Sequence, residues 1–491
     1  MIRFRFALAW SVVLSAAAAA AQTPAPEPHT VPRPRTLAFS DYVVEGVAET
    51  LRSATLLVPE DRAKPDGRQI SLHIVVVPAL TAGRKHAPLF DIAGGPGLAA
   101  TTAAAWYAAD SSGYRATRDI VLIDQRGTGK SNPLRCPELE AVSKLGDMYD
   151  PAAVRRCRGE LEQSADLTQY GTMAAVRDVE AVRLALGFEK IDLSGLSYGT
   201  VVVQTYMREY PQNVRCAVML GTVPIDEKIP LHHARAAEDV MQKLFDDCDR
   251  DPQCGGAFPS LRTEWKDLLA RFEAGPVRAL YADSADTRMV LLERGSFCEA
   301  LRTLLVTTTT QRKIPFIIHS AANDNFYPFF EAVRPESGTT SALAEGMYLS
   351  VTCPEGTQRI QNDEIDAEVA GTFLGRYRVD QQIGACAEWP TTALSDESLQ
   401  PVTASVPTLL LAGGMDYVAP VSWAQQVSSR LSDSRVVVID YLGHFPDGVA
   451  NMECFDALIL AFLRAGTTVS LDVSCVETMT PPAFDTEPAS D

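Results

Sequence analysis

The chain has 491 residues, enough for a large core and more than one minimal domain. Its 62 acidic against 44 basic side chains leave a formal net charge of −18, which excludes the dense lysine and arginine surface that nucleic acids require. No acidic block is long enough to be a solvated tail, so the charge excludes a partner class without naming one.

The N-terminus reads as a targeting segment. Arg3 and Arg5 precede an apolar, alanine-rich run from Phe6 to Ala21, with small-residue cleavage positions just before Gln22. Residues 1–21 are therefore expected to be a signal peptide, the alternative being an uncleaved anchor. No cysteine near the cut supports a lipid anchor, and no later run has the length and apolarity of a membrane span. The expected product is an exported, soluble chain, periplasmic or secreted. Residues 22–52 read as a proline-rich linker and lead-in.

From residue 53 strands alternate with helices. Ala54 to Val58 and Gln69 to Val77 are β-rich and separated by the turn Lys64-Pro65-Asp66-Gly67. Short apolar runs, Pro88 to Ile92 and Ile120 to Ile123, end in Gly94-Gly95-Pro96-Gly97 and Asp124-Gln125-Arg126-Gly127. Apolar runs closed by glycine loops suit buried parallel strands, which carry ligands at their C-terminal ends. Gly171 to Gly187 has helical periodicity, Lys190 to Leu193 is a strand, Thr200 to Tyr210 is a helix stopped by Pro211, and Cys216 to Leu220 is a strand again. Residues 225–401 are largely helical and read as an inserted cap, between core segments 53–224 and 402–475. Thr408 to Leu411 and Arg435 to Asp440 supply late strands, and 476–491 is a polar tail. The expected class is α/β: a mostly parallel, eight-stranded, doubly wound sheet with a helical cap.

The strongest chemical signal is Gly195-Leu196-Ser197-Tyr198-Gly199, which follows a strand and opens a helix. A nucleophile on so sharp a turn needs small neighbours, and that context marks the nucleophile elbow of the α/β-hydrolase fold. Serine needs a base and the base needs an orienting acid, here in the chain order Ser, Asp or Glu, His. Of seven histidines, His444 follows a late strand, whereas His319 falls in the cap. Asp416 follows a strand 28 residues earlier, with Asp447 and Asp440 as the other acids considered. Ser197, Asp416 and His444 thus form the expected triad. The backbone N–H groups of Gly95 and Tyr198 are the expected oxyanion donors. The Asp124 to Ser131 loop lacks phosphate-loop spacing and reads as structural, with Asp124 and Arg126 bracing the site. No cofactor is signalled.

The ten cysteines of an exported chain are expected to form disulfides. Cys248/Cys254, Cys454/Cys475, Cys136/Cys157 and Cys353/Cys386 are plausible pairs, with connectivity open and Cys216 readable as a buried thiol. A zinc site is disfavoured because there is no C-x-x-C pair and no histidine cluster, so no metal is expected.

GGPG (94–97), DQRGTGKS (124–131), GLSYGT (195–200), GGMDYVAP (413–420) and GHFPDG (443–448) together resemble the prolyl aminopeptidase and tripeptidyl aminopeptidase family of α/β-hydrolases. The resemblance runs from about Leu56 to Cys475. It implies a serine exopeptidase that removes residues from peptide N-termini through an acyl-enzyme, with cap carboxylates anchoring the free amine. Glu355 and Glu345 resemble such positions. Ala93 stands where prolyl members carry a histidine, which favours the tripeptidyl-like branch. A carboxylesterase with the same triad is the alternative, and a non-catalytic binding protein on this fold a weaker one, because nucleophile and base are both retained.

Overall fold

The structure, a computed structural model, describes residues 37–81, 86–109, 113–140, 146–282, 287–334 and 343–487. The segment read as a signal peptide, 1–21, most of the stretch read as a proline-rich linker and the last four residues lie outside them. Eleven strands are described: β1 (Phe39–Tyr42), β2 (Leu51–Pro59), β3 (Gln69–Val77), β4 (Leu89–Ile92), β5 (Ile120–Ile123), β6 (Ile191–Leu196), β7 (Val214–Leu220), β8 (Val277–Ala282), β9 (Thr287–Leu292), β10 (Thr408–Gly413) and β11 (Ser434–Ile439).

Nine of them form one sheet in the order β1-β2-β3-β5-β4-β6-β7-β10-β11. β1, β2 and β3 run antiparallel at one edge, and every pairing from β5 to β11 is parallel. This is the α/β-hydrolase architecture, a mixed and mostly parallel sheet, with nine strands where eight were expected. The additional strand, β1, lies in the stretch read as linker. It has only four residues, Phe-Ser-Asp-Tyr, too few to show a period. Pairing with β2 and the guanidinium of Arg52 over the Phe39 ring at 4.1 Å hold it.

Composition explains the layers. β5 is Ile-Val-Leu-Ile and buried throughout, as a central strand covered on both faces must be, while β2 alternates because its outer edge is less covered. The helix Thr172–Leu186 turns Val176, Val179 and Val182 onto the sheet and ends at Gly187, whose φ of 74° closes the last turn. One apolar cluster fills each face of the sheet. A third is built almost wholly from residues between β7 and β10, joined by Met415, Tyr417 and Phe484.

The chain between β7 and β10 is mainly helical but also contains the antiparallel hairpin β8–β9. The segment read as a polar tail packs onto the body instead: Met479 and Phe484 are buried, and Arg312 lies 4.2 Å from the Phe484 ring centre. Disulfides join Cys136–Cys157, Cys248–Cys254, Cys353–Cys386 and Cys454–Cys475, and Cys216 and Cys298 are buried free thiols. Among the described residues no helix is long and apolar enough to cross a membrane.

Candidate active site

β6 delivers Ser197 to the C-terminal edge of the sheet in a backbone conformation few side chains adopt, with φ 57° and ψ −125°. Such a conformation costs about 1–3 kcal/mol and persists only where neighbours over-determine it. A Cβ on Gly195 would lie 2.7 Å from the carbonyl carbon of Gly199, and one on Gly199 would overlap the carbonyl oxygen of Ile92 in β4. Only glycine fits at either position, which is the physical content of the motif. The Ser197 N–H donates to the Leu220 carbonyl at 2.9 Å, and the helix Tyr198–Glu209 starts at once.

Asp416 occupies the loop after β10. Its Oδ1 accepts from the N–H groups of Val418 (2.8 Å) and Ala419 (2.9 Å), and its Oδ2 faces His444 Nδ1 at 2.8 Å. An acceptor-only carboxylate requires that Nδ1 carry the proton, leaving the Nε2 lone pair free. His444 follows β11 and is fixed from the segment between β7 and β10: its N–H donates to the Val306 carbonyl at 2.8 Å, and that of Gly443 to Thr308 Oγ1 at 3.0 Å. Both side chains are buried. Gly221, just after β7, packs on the pair, with room for no side chain: a Cβ there would sit 2.9 Å from His444 Cε1 and 3.3 Å from Asp416 Oδ2. Among the described residues no group hydrogen-bonds the Ser197 hydroxyl. Such contacts often close only when substrate is bound. The competing histidine, His319, pairs with Glu264 at 3.0 Å, and Asp447 accepts from the Thr308 N–H at 3.3 Å.

Ser197 lines a cavity together with Gly95, Tyr198, Glu227, His233 and Glu355. The Gly95 N–H has no acceptor among the described residues, and neither has that of Tyr198, which opens its helix and so lacks an intrahelical partner. Two uncommitted amides beside one hydroxyl can receive a developing oxyanion.

Glu355 ends the helix Glu345–Glu355 and accepts from Thr172 twice, Oε1 from the N–H (2.7 Å) and Oε2 from the hydroxyl (2.6 Å). Thr172 Oγ1 also meets the Tyr198 hydroxyl at 2.9 Å, which connects the carboxylate to the residue after the nucleophile. Burial pushes the Glu355 carboxyl above the ordinary glutamate range despite the Thr172 bonds. Glu345 is not in this cavity. It opens the same helix, about 15 Å away at 1.5 Å per residue, and is not among the residues that line the cavity. It lines a separate cavity with Arg378 and Tyr149, accepts from the Tyr149 hydroxyl at 3.1 Å, and is pushed by burial up to about 7.

Sequence reading missed Glu227, His233 and Gly221. Glu227 is a second carboxylate in the Ser197 cavity, also raised by burial. Inside Asp226-Glu227-Lys228 it looks like any solvated acid, and nothing local distinguishes it. No lysine or arginine lines this cavity, but Arg359 behind its wall acts on both carboxylates, and His232 Nε2 lies 3.5 Å from Glu227 Oε1.

The loops around the site are braced as their residue types suggested. Arg126 is buried and spends its guanidinium on Asp178 (2.7 and 2.8 Å) and on the carbonyls of Glu60 (2.8 Å) and Gln169 (2.7 Å). Asp124 accepts from Thr101 and from the Lys130 N–H, each at 3.0 Å through the backbone, tying the segment after the glycine loop to its own.

Residues 89–270 match the model of the alpha/beta hydrolase fold family, and residues 371–475 match that described as TAP-like protein. Serine protease Hip1 of Mycobacterium tuberculosis is 25% identical over 466 residues, spanning 86% of each chain. Tripeptidyl aminopeptidase of Streptomyces lividans is 23% identical over 482 residues, 86% of this chain and 83% of that protein. Carboxylesterase B of Mycobacterium tuberculosis is 32% identical over 229 residues, 42% of this chain and 43% of its own.

Proposed function

We propose that this chain, a serine hydrolase of the α/β-hydrolase fold with a TAP-like C-terminal part, is an exported aminopeptidase that cleaves peptides from their free N-terminus. The observation that carries the reading is the acidic cavity. Glu355 and Glu227 line the same space as Ser197, and among the described residues neither carboxylate is ion-paired with a lysine or arginine, an environment suited to a cationic α-amine. Similarity to proteins named as a tripeptidyl aminopeptidase and a serine protease supports a peptide substrate. The four disulfides fit an oxidising compartment, hence export.

In the proposed mechanism Ser197 Oγ attacks the scissile carbonyl while His444 Nε2 takes its proton. Asp416 holds the imidazole in the tautomer that leaves Nε2 basic and balances the imidazolium that forms. The Gly95 and Tyr198 amides receive the oxyanion. His444 then protonates the leaving amine, and water attacks the acyl-enzyme with His444 again as base. The segment between β7 and β10 acts as a cap, supplying Glu227 and Glu355.

A carboxylesterase is the second reading, supported by the identity to carboxylesterase B over 42% of the chain and by the largely apolar walls of the cavity. A panel of a tripeptidyl p-nitroanilide, its N-acetylated form and a p-nitrophenyl ester separates the two. The free-amine anilide should be cleaved at least about 100-fold faster than the blocked one, the usual effect of a lost charged contact. Ester turnover with both anilides untouched would refute the peptidase reading and favour the esterase.

A further inference from the structure

The two acids of the Ser197 cavity come from separate segments, residues 224–229 after β7 and the end of the helix Glu345–Glu355. One guanidinium ties those segments together. Arg359 Nη1 donates to the Glu355 carbonyl at 2.7 Å and to the Glu227 carbonyl at 3.3 Å, and Nη2 donates to the Asp226 carbonyl at 2.9 Å. Two carbonyl oxygens on one nitrogen set the backbones of Glu227 and Glu355 side by side. The seam continues at Ile229, whose carbonyl accepts from Thr357 Oγ1 at 3.0 Å and would lie 2.8 Å from a Cβ on Gly356. The segments therefore stay in contact without Arg359, and what the guanidinium fixes is the end that carries the acids.

Arg359 spends its donors on carbonyls and, among the described residues, pairs with no carboxylate, so its charge is left to act on its surroundings. Burial pushes the Glu355 and Glu227 carboxyls up, and Arg359 is among the groups that draw both back down. Glu355 also faces Thr172 and Tyr198, with Arg177 in the adjoining cavity. Glu227 faces His232 and Asp226, and His233 is on the wall the two acids share.

An ammonium has three N–H donors, more than one part-occupied carboxylate readily satisfies. Glu355 already accepts twice from Thr172, and Glu227 accepts from the Lys228 N–H at 2.9 Å. A carboxylate has about four acceptor positions, so each keeps room for another donor. We propose that Arg359 is a positioning residue for substrate recognition: by clamping the two backbones it presents Glu227 and Glu355 as one paired anchor for the α-ammonium of a peptide. The inference rests on the aminopeptidase reading above and adds the residue that makes two separate acids act together.

The test uses protein expressed from the full chain and three substrates: a free-amine tripeptidyl p-nitroanilide, its N-acetylated form and a p-nitrophenyl ester. Arg359→Met keeps length and removes both donors and charge, whereas Arg359→Lys keeps the charge and loses the fork. For R359M, KM on the free-amine anilide should rise about 10- to 100-fold with kcat within about threefold, and the ester should lose no more than about threefold. Loss of a nearby cation favours the neutral carboxyl, so the acid limb of kcat/KM for the free-amine anilide should move to higher pH in R359M. In R359K the limb should stay near wild type while KM still rises, because one ammonium does not reproduce the guanidinium's contacts with three carbonyls. A uniform loss on all three substrates would overturn the proposal by making Arg359 a structural residue. Fluorophosphonate labelling of Ser197 at the wild-type rate shows that a variant is folded, and should R359M fail it, the same ratios are read from R359Q and R359K. A wild type that cleaves the acetylated anilide as fast as the free one overturns the aminopeptidase reading, and this inference with it, before any variant is made. A wild type that prefers the free amine, with that preference and the acid limb unchanged in R359M, overturns this inference alone.

Discussion

Gly221→Ala tests the site through a residue that carries no chemistry. Its Cβ would stand 2.9 Å from His444 Cε1, 3.0 Å from Nδ1 and 3.3 Å from Asp416 Oδ2. Non-bonded carbons settle at about 3.5 Å or more, so the ring must retreat by roughly 0.6 Å or the loop after β7 must move by as much. A hydrogen bond of about 2.8 Å stretched by that amount leaves the normal range. Since a displacement of about 1 Å costs on the order of 100-fold, we expect kcat on a p-nitrophenyl ester to fall about 10- to 100-fold. The residue also sits at φ +57°, which costs an alanine about 1–2 kcal/mol, a Tm loss of only a few degrees for a large domain. The assay pairs kcat with thermal unfolding and with active-site titration by a fluorophosphonate. A variant with kcat within twofold of wild type would refute the packing argument. So would a loss fully explained by the fraction unfolded.

Asp416→Asn should lower kcat about 10³- to 10⁴-fold with little change in KM, because an amide facing Nδ1 favours the wrong tautomer; unchanged turnover would remove Asp416 from the triad. Glu355→Gln and Glu227→Gln should each raise KM for the free-amine anilide about 10-fold or more and spare the ester. Burial raises both carboxyls, so they protonate at a higher pH than free glutamate, and below that pH the cavity loses its negative charge. Hence kcat/KM for the free-amine substrate should fall on acidification along a limb that the ester profile lacks. Asp178→Ala strands the buried Arg126 and should cost about 3–5 kcal/mol in urea unfolding, a loss under 1 kcal/mol contradicting the bracing role. Replacing Cys353 and Cys386 by alanine opens a 33-residue loop, worth about 3–4 kcal/mol, and should also raise KM for the free-amine substrate, because Cys353 precedes Glu355 by two residues.

What could be read from the sequence is what local chemistry determines. The elbow needs two glycines around Ser197, and Asp416 and His444 follow late strands, so each carries its own context. The four cysteine pairs that were plausible from their spacing are the ones that form, although the sequence left their connectivity open. Features fixed by packing were not legible. Glu227 and His233 matter because the segment after β7 folds back over Ser197, and no pattern within that segment says which side chains will face inward. Glu345 stood as a second candidate beside Glu355 until the helix between them put the two at opposite ends. β1 is too short for a period, and its pairing with β2 is not a property of its four residues.

The acid and base of the site are held from two directions. Met415 and Tyr417, on either side of Asp416, belong to the apolar cluster of the segment between β7 and β10, and Gln311 Nε2 donates to the Met415 carbonyl at 3.0 Å. The backbone of His444 hangs from Val306. This segment is therefore not an exchangeable lid. A chimera that imports another protein's specificity by replacing the whole stretch would lose the supports of its own general base. Grafts confined to the helices around Glu227 and Glu355, with residues 302–311 left in place, would keep the acid–base pair aligned.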